Sequence, residues 1–484
     1  MKRTIISLSI VSVFSLSLAS VNAIASTSAS SALADPVQST LNIDEKRFQR
    51  RALEAGIWIM PQVMYERMAQ VAFDTFGNED KRNNTIYFYE RPMTSEAAMV
   101  TGNNNSPYVH TYHNIADGPV VVEIPPATDS NTFFGTFLTS WHEPIMDVGP
   151  GGEDKGKGGK YLIVPKGYQG DTSGYIVVEQ PTHRGYISIR SLTKTTSDTD
   201  MKTHVEYVNT MKIYPLGTDG NTEFVTLDNV QYDGHIKWDM SFWESANKAI
   251  QEELIKKDEK AFYGMMKMIG IEKGQSFEPS ASEKEMFHTA IIELQDEMKH
   301  DFTYYAPGLW GEASQWTIPV NQEMMTTNAT YVDANWNDYS GRGTTFTYYF
   351  APPASLAESK STTYIKGVLD NEGRPLSGDH NYRVHIEDSS TVPAKQFYSF
   401  LTYSMDTGAY LKGAGSKIGI ASNQNDFVIN QDGSVNIHWS ANCTDGMTNC
   451  MPLNQGEEWF SLFRMYGPNE EWFKFIPPSI ERIN

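Results

Sequence analysis

The sequence predicts a mainly β protein with a helical middle region: an N-terminal β-sandwich, a helical linker domain, and a second all-β domain of jelly-roll length. Three observations predict it. Short apolar runs bounded by Gly, Pro, Asn or Asp recur over residues 85–216 and again from Thr362. Between them, residues 240–306 carry apolar side chains every three or four positions, the period of a helix. The chain has 484 residues, with 36 Gly, 23 Pro and 12% aromatic residues, which suits several cores joined by turns and excludes disorder.

The elements follow in order. Lys2 and Arg3 precede an apolar run at 5–19, and Val21-Asn22-Ala23 and Ala23-Ile24-Ala25 offer small-residue cleavage sites. Residues 1–25 therefore read as a signal peptide and 26–41 as a flexible Ser/Ala-rich leader, so the expected location is periplasmic or secreted. The apolar run is shorter than the ~20 residues of a membrane span, and no later segment is apolar for long enough. A helix is expected over 42–76, with Phe48, Leu53, Ile57, Met60, Met64, Met68 and Val71 on one stripe. Pro61 is expected to kink or split it. Its methionines read as core filler.

Over 80–217 the runs TIYFYE, VVVEI, FFGTFL, YLIVP, GYIVVE, GYISIRS and HVEYV read as strands of a sandwich. The helical and connecting region spans 235–345. Phe242, Trp243, Ala246, Ile250 and Leu254 form one stripe there. Ser282 with Glu285 reads as a capping box, and Ala306-Pro307-Gly308 ends the helix. From 346 to 484 the β pattern returns, with hairpin-type turns at DNEG (370–373) and QDGS (431–434). His438 and Trp439 alternate along one strand there, and the histidine reads as structural.

Charge and cysteines narrow the setting. The formal charge is 39 minus 59, or −20, which excludes nucleic acid and anionic membrane surfaces as partners. Cys443 and Cys450 are the only cysteines, and an exported chain favours a disulfide between them.

Candidate chemistry concentrates in residues 102–161. Asn103, Asn104 and Asn105 offer amide donors and acceptors beside the rings of Tyr108 and Tyr112, a combination that holds sugars and small polar organics. Trp141, Asp147 and the lysines Lys155, Lys157 and Lys160 are expected at the rim of the same pocket, where the ammonium groups would attract an anion. His110 and His142 have metal-ligating side chains, but no recognised ligand spacing surrounds them. The run from Gly151 to Lys157 has the spacing of a phosphate loop. Gly158 stands where the magnesium-binding hydroxyl belongs, however, and a strand follows instead of a helix. There is no Gly-x-Ser-x-Gly elbow. No cofactor is predicted; a divalent metal stays open.

Three functions remain from the residues alone. The first is a module binding a small polar or anionic molecule in the N-terminal sandwich. The second is a hydrolase, metal-assisted or not, acting on a small phosphorylated or sugar-like substrate. The third is a structural protein that assembles with copies of itself.

GNNNSPY, DGPVVVEIP, DVGPGGEDKGKGGKYLIVP and GYQGD together resemble the bacterial family catalogued as domain of unknown function 1254. Asp370, Gly373, Leu376, Gly378 and Tyr382, then Pro393, Ala394, Phe397 and Ser399, resemble its usual companion, domain of unknown function 1214. Residues 430–434 (NQDGS) and 464–468 (RMYGP) continue that resemblance. It implies an immunoglobulin-like N-terminal sandwich, a helical middle and a C-terminal jelly roll, and it supplies no catalytic residues. The chain departs from the family pattern at Cys450, where Trp is common, and a bond to Cys443 would restore the anchoring of that loop. It departs again over 105–108, where an Asn-x-Asp-Thr is replaced by Asn105-Ser106-Pro107-Tyr108.

Overall fold

A computed structural model describes residues 43–306, 308–354, 362–411 and 417–483. The expected signal peptide and leader lie outside the described residues. The architecture is mainly β with helices in the middle, and one helix organises it.

Helix α1 (Ile43–Phe76) is buried on every side over its middle. It runs unbroken through Pro61, which corrects the expected split. Proline removes the N–H that would serve the Ile57 carbonyl. Tertiary packing compensates. Gly343 lies so close to that carbonyl that a Cβ there would sit 2.6 Å from Ile57 O. The Pro61 carbonyl in turn accepts a hydrogen bond from His142 Nε2 at 3.0 Å. Met60, Met64 and Met68 fill the core around the helix.

The N-terminal strands are β1 (Thr85–Phe88), β2 (Ala97–Ala98), β3 (Tyr108–Asn114), β4 (Val120–Ile124), β5 (Asn131–Thr139), β6 (Pro144–Val148), β7 (Gly159–Pro165), β8 (Ile176–Gln180), β9 (Arg184–Thr193), β10 (Lys212–Pro215), β11 (Glu223–Thr226) and β12 (Tyr232–Asp233). Ten of them form a six-stranded sheet, β11-β1-β3-β9-β5-β6, facing a four-stranded sheet, β10-β4-β7-β8, and β2 pairs with β12. Val109, Phe137, Tyr161, Ile163, Ile187 and Ile189 fill the space between the sheets. The outer face of the larger sheet sends Tyr112, Tyr186 and Leu138 against α1. The larger sheet is therefore buried on both faces over this part.

One expected strand is a helix. HVEYV lies in α2 (Asp198–Val208). Its aromatic and β-branched residues favour a strand. The cap decides otherwise: Ser197 Oγ accepts from the Asp200 N–H. Met201, His204, Tyr207 and Val208 then share the buried face.

The middle of the chain supplies α3 (Met240–Glu252), α4 (Lys260–Met268), α5 (Ala281–Tyr304), α6 (Gln322–Thr326) and α7 (Tyr339–Tyr348). Four of these, α3, α4, α5 and α7, pack against α1. The capping box of α5 is Ser280 with Glu283, two residues before the expected pair. Leu254 lies beyond α3 and is exposed rather than on its stripe.

The C-terminal strands are β13 (Thr362–Gly367), β14 (Asn381–Ile386), β15 (Ala394–Ser404), β16 (Gly419–Ala421), β17 (Val435–Ser440), β18 (Cys450–Pro452), β19 (Trp459–Pro468) and β20 (Glu481–Ile483). They make two four-stranded sheets, β13-β19-β15-β16 and β18-β17-β14-β20, the sandwich expected of a jelly roll. Ile365, Phe400, Trp439, Phe463 and Met465 lie between them. The outer face of the first sheet sends Leu401, Tyr403, Phe460 and Leu462 into the core around α1. Each sandwich thus offers one sheet face to the helices. Cys443 and Cys450 form a disulfide. His438 Nδ1 bonds the Thr448 carbonyl at 2.7 Å, a structural use. Among the described residues no helix is long and apolar enough to cross a membrane.

Candidate functional site

Strand alternation decides which side chains meet between the sandwiches. In β3, Val109 points into the N-terminal core, so Tyr108, His110 and Tyr112 point out. In β9, Ile187 and Ile189 point in, so Tyr186, Ser188 and Arg190 point out. Register pairs Tyr108 with Arg190, and His110 with Ser188. In β19, Phe463 and Met465 point into the C-terminal core, so Arg464 and Tyr466 point out. Tyr364 on β13 and Ser399 on β15 flank Arg464.

Two guanidinium groups converge on Tyr364. Arg190 donates from Nε to Tyr108 Oη at 3.1 Å and from Nη2 to Tyr364 Oη at 3.2 Å. Arg464 stacks on the Tyr364 ring, 5.0 Å from its centroid. Its Nη2 donates to Thr101 O at 2.9 Å, Gly102 O at 3.1 Å and Tyr403 Oη at 2.8 Å. Its Nε and Nη1 are buried without a hydrogen-bond partner among the described residues. The strongest charge interactions of both arginines are with tyrosines, and among the described residues neither forms an ion pair with a carboxylate. A buried cation without a counter-charge is costly, since it has lost water and gained no anion. The phenol of Tyr364 registers this field. Burial raises its pKa, but Arg190 and Arg464 outweigh burial and lower it.

The asparagine turn packs against one end of this cluster. Asn103 Nδ2 and Asn105 Nδ2 both donate to Tyr466 Oη, at 3.0 and 2.9 Å. Asn103 Oδ1 accepts from the Asn105 N–H at 3.0 Å, which sets the turn. Asn104 is half-buried in the same turn. His110 stacks on Tyr108 with ring centroids 6.0 Å apart. Both of its ring nitrogens are buried without a partner among the described residues. Burial alone pushes its pKa down to about 4, so it is neutral at pH 7. From His110 a row of same-face residues crosses the sheet through Ser188 and Thr136 to Asp147. Asp147 accepts from Thr136 Oγ1 at 2.7 Å and from the Ala354 N–H at 2.8 Å.

The structure brings Asn103, Asn104, Asn105 and Tyr108 together, sets Asp147 farther along the same sheet face, and sends Tyr112, Trp141 and the three lysines elsewhere. Tyr112 is core, its hydroxyl 3.0 Å from Tyr232 Oη and its ring among Tyr65, Phe73, Tyr87 and Tyr186. Trp141 is buried beneath Lys256 and Arg342, whose charges lie 4.8 and 5.0 Å from its ring. Lys155 and Lys157 are exposed on a loop fastened by Asp154, which accepts from the Gly149 and Gly158 N–H groups at 2.6 and 2.9 Å. Lys160 pairs with Glu123 at 3.1 Å on the outer face of the four-stranded sheet, the far side of the sandwich from Tyr108. His142 is committed as well. Its Nε2 donates to Pro61 O, so its Nδ1, 2.6 Å from Tyr186 Oη, accepts. Among the described residues no three His, Cys, Asp or Glu side chains group to hold a metal ion.

Sequence reasoning missed Arg190, Tyr364, Tyr403 and Arg464 as site residues. One signal was present: Arg464 and Tyr466 alternate within a strand, as do Ser188 and Arg190. Charged residues on a sheet face otherwise occupied by core aromatics mark a place where that face is not simply core.

Residues 83–215 match the family described as "Protein of unknown function (DUF1254)" and residues 361–470 the one described as "Protein of unknown function (DUF1214)". The chain belongs to the family that joins these two domains. Tyr108 and Arg190 fall in the DUF1254 match, and Tyr364, Arg464 and Tyr466 in the DUF1214 match, so the cluster lies where the two meet. The crystal structure of the VPA0106 protein from Vibrio parahaemolyticus is similar over 90% of this chain and 100% of its own, at 17% identity and a TM-score of 0.50. An uncharacterized protein from Burkholderia cenocepacia is similar over 91% of this chain and 94% of its own, at 10% identity and a TM-score of 0.38. The first likeness speaks to the fold alone. None of the curated proteins matches this chain.

Proposed function

We propose that this DUF1254–DUF1214 chain binds a small anionic ligand, a carboxylate or phosphate, at the arginine–tyrosine cluster between its two sandwiches. The observation that carries the reading is the pair of guanidinium groups converging on Tyr364, neither of them ion-paired with a carboxylate among the described residues. An anion there would take the unspent Nε and Nη1 donors of Arg464 and the charge of Arg190. Asn104 and Asn105 would orient its polar end, and the Tyr108 ring would cover it. The chain as a whole is strongly acidic, so attraction is confined to this local field. His110 supports a second reading, hydrolysis of an ester or phosphoester of that anion. It is a neutral imidazole with both nitrogens unspent, beside Tyr108 and Ser188. Export is part of the proposal, and the Cys443–Cys450 bond supports it.

Calorimetric titration with inorganic phosphate and a panel of small mono- and dicarboxylates tests the reading. Removing one charged donor should weaken the best binder about 10- to 100-fold, the value of one charge-assisted hydrogen bond, in Arg190→Met. Asn105→Ala should weaken it less. A binder whose affinity is unchanged in both folded variants places its site elsewhere and sinks the proposal. Ester hydrolysis that survives His110→Ala would remove the second reading.

A further inference from the structure

The next outward-facing residue on β13 after Tyr364 is Lys366, and its surroundings differ entirely. It is only 1% exposed. Its Nζ donates to the Phe302 carbonyl and lies 3.7 Å from the centroid of the Phe302 ring. Among the described residues no charged group acts on this amine, and burial pushes its pKa down to about 7. One use of the lysine is structural. Phe302 lies in the last turn of α5, where carbonyls lack helical partners, and an ammonium can cap them.

A cap does not require a hollow beside it, and here there is one. A cavity of about 280 Å³ opens between the end of α5, the start of α7 and β13, with Lys366 in its wall. Ser340 and Thr344 line it with hydroxyls, and Asp301, Glu323 and Asp338 with carboxylates. Two of these acids are already engaged. Asp338 accepts from the Gly341 N–H and from Asn321 Nδ2, both at 2.9 Å, and Asp301 accepts from Ser340 Oγ at 3.4 Å. The cavity thus holds a largely desolvated amine at one wall and a hydroxyl- and carboxylate-bearing surface elsewhere.

We propose that Lys366 is a nucleophilic amine that forms an imine with the aldehyde or ketone carbonyl of a small hydroxylated ligand in this cavity. The neutral amine adds its lone pair to the carbonyl carbon, making the C–N bond. The resulting carbinolamine expels its oxygen as water, which carries off both amine protons and leaves the C=N bond. A further proton from solvent gives the iminium, which keeps one N–H for the Phe302 carbonyl and rests its charge over the Phe302 ring. The three carboxylates disfavour an anionic ligand, and the hydroxyl groups suit a polyol carbonyl. The ligand class is therefore distinct from that of the arginine cluster, and this inference does not rest on it.

The test uses glycolaldehyde and cyanoborohydride on the intact protein at pH 7, with peptide mapping by mass spectrometry. An amine near 7 is neutral far more often than one near 10, so Lys366 should be modified at least about tenfold faster than any exposed lysine. Its rate should level off above neutrality while the exposed lysines keep accelerating. Lys366→Met removes the cap and risks unfolding, so Thr344→Leu is the companion variant. It fills the cavity and leaves the amine in place, and labelling of Lys366 should fall about tenfold while the melting temperature holds. Modification of Lys366 no faster than that of exposed lysines overturns the proposal, as does labelling that Thr344→Leu does not slow.

Discussion

Replacing Glu259 with Gln should loosen the joint where α1, α7 and the N-terminal sandwich meet. The carboxylate is 5% exposed. It accepts from Arg342 Nη1 at 3.1 Å and Nη2 at 2.9 Å, lies 3.2 Å from Lys256 Nζ, and accepts from Trp58 Nε1 on α1. Arg342 is wholly buried against Trp141, and Lys256 continues to Glu143 at 2.7 Å. Burial raises the pKa of Glu259. The hydrogen bonds and charge of Arg342, with help from Lys256 and Trp58, outweigh burial and bring it from 4.5 to about 2. A depression of that size corresponds to about 3 kcal/mol of folding stability at pH 7. The cost of breaking a buried ion pair by removing one partner, about 3–5 kcal/mol, agrees with it. A depressed carboxyl stabilises above its unfolded pKa and loses that contribution as pH falls through the folded value. The wild-type advantage should therefore be full above pH 4.5 and nearly gone near pH 2. Urea unfolding of wild type and Glu259→Gln across that range measures it. A gap under about 1 kcal/mol at pH 7, or one that does not narrow on acidification, would refute the reasoning.

Two further expectations follow from the same coordinates. In a spectroscopic pH titration one phenol should ionise below the ordinary tyrosine value of 10.0, and that step should vanish in Tyr364→Phe and move upward in Arg464→Met; a titration showing no such step removes the field assigned to the two arginines. Alkylation followed by mass spectrometry should leave Cys443 and Cys450 unmodified until reduction, and Cys443→Ser should cost about 2 kcal/mol because the bond closes a short loop; immediate labelling of both thiols would contradict the bond.

Much of the architecture is legible in one dimension because strands and helices are local devices. The runs at VVVEI and YLIVP, the stripe through Met60, Met64 and Met68, and the turn residues all act over a few positions, and the structure uses them as the pattern says. The failures are also local in origin. HVEYV has strand propensity, but a serine cap at Ser197, ahead of it in the chain, and a sandwich wall to cover make it helical. Pro61 forbids one hydrogen bond, yet the helix continues where a glycine from α7 packs close against the Ile57 carbonyl.

By itself the sequence determined two β domains joined through helices, the cysteine pair and the family resemblance, since each follows from short-range periodicity, residue type or motif order. It placed Asn103, Asn105 and Tyr108 near a site without saying what they face. The tertiary structure alone chose their neighbours: Arg190 meets Tyr364 across 174 positions, and Arg464 reaches Gly102 across 362. Such pairings depend on which sheet faces are left uncovered after each sandwich has closed its own core. That is a property of three-dimensional packing, and no spacing along the chain records it.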